Sequence, residues 1–266
     1  MTAPVKFKNP PVVEVVCGVL FITPIPLKTA QVGLFWQAVR DTFPRLEEAP
    51  PISPIIETFQ AEPIQEFQFG QLPPLRRTWL LSADGRNLIQ IQEDRFLFNW
   101  KRAANDDEYP SYERVIEKFD QYLAEFVKFL VAEGVGQPIY RQFELTYVNL
   151  IGSSNEFAKV GEGGVLVDHI RDVSRSRFLP EPEGFNWTTA YSLPDNNGRL
   201  RLLAQTALRK PGGERIVRLD LTARGIPADP SETGRRPWFD MAHDWITFGF
   251  ADATSPILHP VWRRIS

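Results

Sequence analysis

Eight apolar residues recur at steps of three and four between Tyr112 and Leu130, and this stripe constrains the chain more than any other feature. Tyr112, Val115, Ile116, Phe119, Tyr122, Leu123, Phe126 and Leu130 place a broad apolar face along one side of a helix. Such a face needs a sheet to cover, and the sequence supplies one just before it. Arg77 to Ser82 is rich in strand formers, and Asp84-Gly85 is the short turn that folds a hairpin back on itself. Leu88 to Gln92 returns. Arg95-Phe-Leu-Phe-Asn-Trp-Lys101 then alternates large rings with polar residues, as a strand buried on one face does. The pattern predicts that Phe96, Phe98 and Trp100 pack against Phe119, Tyr122 and Phe126.

The remaining segments repeat this alternation of strands and helices. Val12 to Phe21 is apolar on both faces apart from Glu14, which fits an interior strand. A helix is expected from Thr29 to Phe43, stopped by Pro44. Ala49 to Pro54 reads as rigid and extended, and Ile55 to Phe59 as a short strand. The second half opens with a strand over Ile139 to Ile151. A short helix follows at Val165 to Val173, then strands at Trp187 to Leu193, Arg199 to Lys210 and Arg215 to Arg224. Gly225 to Pro237 reads as a loop before a last helix, Trp238 to Phe250. Residues 1–136 thus read β-α-β-β-β-β-α, and residues 137–266 read β-α-β-β-β-α. The expectation is an α+β fold of two pseudo-repeated units that resemble helix-grip or TBP-like folds, with antiparallel sheets and helices packed on one face.

The bulk numbers exclude several function classes. With 43% hydrophobic and 12% aromatic residues the chain has material for a real core. A net charge of −3 argues against a general nucleic-acid or acidic-membrane binder. A single cysteine, Cys17, permits neither an internal disulfide nor a cysteine-based zinc cluster. Met1 to Lys6 lacks the basic-then-apolar pattern of a secretory signal, and no apolar run approaches the ~20 residues needed to span a bilayer. A cytoplasmic protein with no cofactor, metal or membrane attachment is expected.

Several short motifs carry a resemblance. They are Lys8-Asn9-Pro10-Pro11-Val-Val-Glu14, Trp36-x-x-x-Arg40-x-x-Phe43-Pro44, Gln90-x-Gln92-x-Asp94-Arg95-Phe96-x-Phe98-Asn99-Trp100, Tyr109-Pro110-x-Tyr112-Glu113, and Ala242-His243 with Trp262-Arg263. Together these resemble a sporadically distributed bacterial family without an established activity. The patchy occurrence of that family implies a defence- or mobile-gene setting, such as a CRISPR-associated, toxin–antitoxin-like or stress-response accessory protein. It brings no catalytic residues to carry over.

Candidate sites remain. His169, His243 and His259 have no partners at metal-ligand spacing. His243 and Asp244 are adjacent on a helix and diverge by about 100°, so a general base at His243 needs a partner from elsewhere. Gly161-Glu-Gly-Gly164 lacks the spacing of a phosphate loop and reads as a connector. On the late strands Arg201, Arg209, Arg218 and Arg224 face away from the predicted core beside Asp220. That is either a solvated face of Arg–Asp pairs or an anion or partner-binding surface. Glu14 and Glu144 are lone acids in apolar strands, and they become neighbours if the two opening strands pair across a pseudo-dyad. The residues favour a non-enzymatic accessory or regulatory protein that acts on a protein partner. The alternatives are a nucleotide or nucleic-acid binder using the arginine face, and a hydrolase built on His243 and the two glutamates.

Overall fold

The computed structural model describes residues 5–57, 76–104, 107–152, 157–158, 164–166, 183–209, 212–226, 229 and 231–265. The first half of the chain supplies β1 (Val12–Phe21), β2 (Arg45–Ala49), β3 (Arg77–Leu81), β4 (Asn87–Gln92) and β5 (Arg95–Lys101). The second half supplies β6 (Tyr140–Ile151), β7 (Asn186–Ser192), β8 (Arg199–Arg209) and β9 (Glu214–Gly225). All nine pair antiparallel in one sheet of order β2-β3-β4-β5-β1-β6-β9-β8-β7. The join between the two halves is β1 against β6, where Val15, Cys17 and Val19 lie opposite Tyr147, Leu145 and Phe143.

Three long helices are present among the described residues: α1 (Thr29–Val39), α2 (Tyr112–Ala132) and α3 (Glu232–Ala253). The stripe on α2 meets β5 as expected. Phe96 lies 6.4 Å from Phe119 and 5.1 Å from Phe126, and Phe98 stacks on Tyr122 at 5.8 Å. Trp100 departs from the expectation and packs edge-on against Tyr109 in the lead-in to α2. Phe239 of α3 touches both Phe119 and Phe143, while Phe35 of α1 abuts Phe126. A continuous apolar cluster therefore runs through both halves of the chain.

Four boundaries differ from the sequence expectation. β2 occupies Arg45–Ala49, a stretch whose side chains are mostly exposed, so no apolar alternation marked it. Helix α1 ends at Val39 rather than Phe43. The chain turns through Arg40–Thr42 so that Phe43 can enter the core, and Trp36 Nε1 donates to the Phe43 carbonyl at 2.9 Å. Helix α3 starts at Glu232 and carries Pro237 inside it, forfeiting one backbone hydrogen bond in the second turn. Residues 55–57 are not a strand, and Thr58 and Phe59 lie outside the described residues. Most of the short helix expected over Val165 to Val173 also lies outside them, although Leu166 bridges to Thr254.

Candidate functional site

Register fixes what the second face of the sheet displays. One row across it runs Trp79, Gln90, Leu97, Gly18, Glu144, Arg224, Arg199. The next row runs Leu88, Asn99, Val16, Thr146, Thr222, Arg201. Polar side chains dominate both, although Gln90, Gln92, Asn99 and Gln142 are buried. A buried polar group is tolerated only where it is hydrogen-bonded, and here they find partners on the same face. Trp79 Nε1 and Arg77 Nη1 each donate to Gln90 Oε1 at 3.1 Å. Gln90 Nε2 donates to Asn99 Oδ1 at 2.7 Å, and Asn99 Nδ2 donates to Glu14 Oε1 at 2.6 Å. This relay crosses four strands and joins Glu14 of the Asn-Pro-Pro motif to Asn99 of the Phe-Asn-Trp motif.

Arg199, Arg201, Arg209, Arg218 and Arg224 lie on the same face, and each meets a carboxylate, whereas Arg215 lies on the other face by register and donates to the Glu183 carbonyl. Arg201 grips Glu57 through Nε at 2.9 Å and Nη2 at 3.2 Å, and Arg199 Nη1 reaches the same carboxylate at 2.8 Å. Arg218 pairs with Asp220 at 2.8 Å, and Arg224 pairs with Glu144. Arg209 stands apart, eight residues from Arg201 on β8 or roughly 26 Å along the strand. It pairs with Glu214 at 3.3 Å near the hairpin end. By register Arg199, Arg201 and Arg224 lie together, whereas Arg218 stands opposite Gln205, four residues from both Arg201 and Arg209, so the four arginines expected as one cluster do not form one.

Glu14 and Glu144 do share a face on neighbouring strands. Their register separates them, however: Glu14 stands opposite Val148, and Glu144 opposite Gly18. Four residues of β1, roughly 13 Å, lie between the two acids. Glu14 is held by Asn99 and more loosely by Lys101 at 3.9 Å. They do not form an acid–base pair. Gly18 leaves room for the Leu97 side chain, since a Cβ there would come 2.4 Å from Leu97 Cδ2 and force it to shift.

His243 sits on the opposite side of the sheet, in a cluster of rings. It stacks on Tyr112 at 4.1 Å with the planes 3° apart, and its Nδ1 is 3.0 Å from the Tyr147 hydroxyl. Tyr147 in turn meets the Tyr109 hydroxyl at 2.8 Å, and Tyr112 donates to Asp240 at 2.8 Å. Burial lowers the His243 pKa to about 4, against the pull of Glu113 and Asp240. Burial also raises the phenols of Tyr109, Tyr112 and Tyr147. A neutral imidazole packed in this way fixes α3 against β6 and α2. His259 is likewise enclosed, between Thr254 Oγ1 at 3.1 Å and Arg264 Nη1 at 3.2 Å. His169 and most of the Gly161–Gly164 stretch lie outside the described residues.

An open cleft of about 690 Å³ lies at the start of α2, lined by Asp84, Arg86, Trp100, Tyr109, Arg114 and Lys118 among others. One of its acids is answered at close range. The Arg86 guanidinium and the Ala104 and Ala103 amides hold the Asp107 carboxyl down at about 2. Among the described residues no three His, Cys, Asp or Glu side chains gather as a metal site. Cys17 is buried, and burial raises its thiol pKa.

Sequence reasoning missed Arg199, Glu57, Gln92 and Gln142 as site residues. Arg199 was recoverable, because it alternates with Arg201 on one strand. Glu57 was not, since its partners are more than 140 residues away. No protein-family model matches the chain, and no curated protein matches it.

Proposed function

We propose that the chain is a non-enzymatic accessory or regulatory protein that works through protein–protein contacts, and that the polar sheet face is its contact surface. The observation that carries this reading is the pairing of Arg199, Arg201, Arg218 and Arg224 with carboxylates on that face. A face so balanced projects little positive field, and it offers main-chain-like donors and acceptors instead. His243 supports the same reading, because a buried imidazole with a lowered pKa is poorly placed to serve as a base for a hydrolase. The motif resemblance adds a setting: a cytoplasmic partner in bacterial antiviral defence, of CRISPR-associated or toxin–antitoxin-like type, or in stress response.

The strand order supports a duplicated origin. On one side of the β1–β6 seam the order is β1-β5-β4-β3, with β2 added at the edge, and on the other it is β6-β9-β8-β7. We infer that residues 1–136 and 137–266 are two pseudo-repeated units of helix-grip or TBP-like form, with α2 and α3 in equivalent places on one face.

Affinity capture from a bacterial host tests the assignment. The wild type should retain a partner that Arg218→Ala/Arg224→Ala loses while keeping its circular dichroism spectrum. Capture of the same partner by both proteins would refute the polar face as the dock.

A further inference from the structure

Residues 50–57 cross the polar face from β4 to β8 as an extended strap, and the sheet grips this strap by its backbone. Gln92 Oε1 accepts from the Ile52 amide at 2.8 Å, while Gln92 Nε2 and Arg95 Nη2 donate to the Ile52 carbonyl at 3.0 and 3.1 Å. Gln142 Oε1 accepts from the Glu57 amide at 2.9 Å, and Gln142 Nε2 donates to the Ile55 carbonyl at 3.0 Å. Each glutamine thereby imitates a neighbouring strand, offering one acceptor and one donor to an extended main chain. Contacts of this kind do not depend on the identity of the side chains they hold.

Among the described residues, identity enters at Glu57. The Glu57 carboxylate is buried, with Glu57 2% exposed, and is received by the two guanidiniums described above. Burial pushes its pKa up, but the hydrogen bonds and charges of Arg201 and Arg199 outweigh that and leave it below the ordinary value. Two arginines converging on one carboxylate, with one of them bidentate, make a specific acidic subsite.

The strap itself is weakly anchored by packing. Pro50, Pro51, Ser53, Pro54 and Ile55 are exposed. Only Ile52 and Ile56 add half-buried apolar contact, so its attachment is mainly polar, and hydrogen bonds exchanged with water contribute little net free energy each. When the strap lifts, it uncovers amides and guanidiniums that water can solvate, so little apolar surface resists the opening.

We propose that Gln92, Arg95, Gln142, Arg199 and Arg201 form a receptor for an extended acidic peptide of a partner, occupied in cis by residues 50–57 as a displaceable stand-in. This rests on the polar face being a protein dock and names what docks there: a proline-stiffened extended segment ending in a carboxylate-bearing residue. Prolines preset the extended form and reduce the entropy lost on binding.

The test uses a fluorescein-labelled peptide with the sequence of residues 49–57, titrated against full-length protein. Glu57→Gln weakens the internal occupant, so this variant should bind the peptide at least about tenfold more tightly than wild type. A peptide ending in Gln should lose that gain, and so should Arg201→Ala in the Glu57→Gln background. Equal binding to wild type and Glu57→Gln, or none to a folded Glu57→Gln, overturns the proposal. Hydrogen exchange of the wild type gives an answer that needs no variant. The Ile52 and Glu57 amides should exchange by local opening, well before those of β1 and β6, and exchange only on global unfolding also overturns it. Partner loss in Arg218→Ala/Arg224→Ala without peptide binding would sink this inference while leaving the docking surface intact.

Discussion

Lowering the pH protonates His243 in the unfolded chain well before it does so in the folded one. The folded value is about 4 and the ordinary value is 6.5. A histidine held neutral by burial contributes nothing adverse above pH 6.5. It subtracts stability as pH falls, because the unfolded state then takes up a proton that the native state refuses. Each tenfold difference in proton affinity is worth about 1.4 kcal/mol, so the loss reaches about 2 kcal/mol at pH 5 and about 3 kcal/mol at pH 4. Glu113, Asp240 and Lys6 are the charged groups that act on the ring. Hydrogen bonds from its own amide and from Ser111 keep the Glu113 carboxyl below its ordinary value, so that acid stays ionised through the window. Glu57 titrates at lower pH, since its folded value is also depressed. Urea unfolding at closely spaced pH values between 7 and 4.5 reads the effect, with His243→Gln as the reference. Gln retains an acceptor for the Tyr147 hydroxyl but cannot be protonated. The wild type should lose about 2 kcal/mol more than the variant between pH 7 and pH 5. Parallel curves would refute the claim that the imidazole is held neutral.

Other substitutions probe the packing. Phe119→Ala empties a fully buried site between Phe96 and Phe239, and should cost about 3–5 kcal/mol in chemical denaturation. Gly18→Ala forces its new methyl onto Leu97 and should cost about 1–3 kcal/mol, part of it recovered in a double variant with Leu97→Val. Ser111 holds φ at 105°, a conformation that side chains rarely adopt, so Ser111→Gly should raise stability by about 1 kcal/mol. Arg209→Ala breaks an exposed pair with Glu214 and should change the unfolding free energy by less than about 1 kcal/mol.

The sequence made the apolar layer legible and the polar layer illegible, for a physical reason. Apolar alternation is local, so Val12–Phe21 emerged with its observed ends and the α2 stripe found Phe96 and Phe98. Where the local signal was weak the boundaries slipped. Exposed Leu46, Glu47 and Glu48 hid β2, and Pro237 masked the first turns of α3. The polar face depends on register, which no local pattern carries. The strands that carry Glu14 and Glu144 do pair, yet the expected closeness of the two acids fails, because an offset of four residues keeps them apart. Arg201, Arg209, Arg218 and Arg224 were placed on the outward face, but Glu57 and Glu144, which neutralise Arg201 and Arg224, come from distant parts of the chain. Gln142 reads as an ordinary strand residue until the strap is seen lying on it.

Nucleic-acid binding is the measurement that bears most directly on the contact surface, because it separates a balanced face from a positive one. Fluorescence anisotropy with labelled single-stranded RNA and duplex DNA should be run between about 50 and 200 mM salt, where a protein neutralising several phosphates loses orders of magnitude in affinity. With Arg199, Arg201, Arg218 and Arg224 already answered by carboxylates, no saturable binding is expected at either salt concentration. Tight binding at low salt that falls steeply toward 200 mM, and is weakened by Arg218→Ala/Arg224→Ala, would contradict the account and make the arginine face a nucleic-acid site.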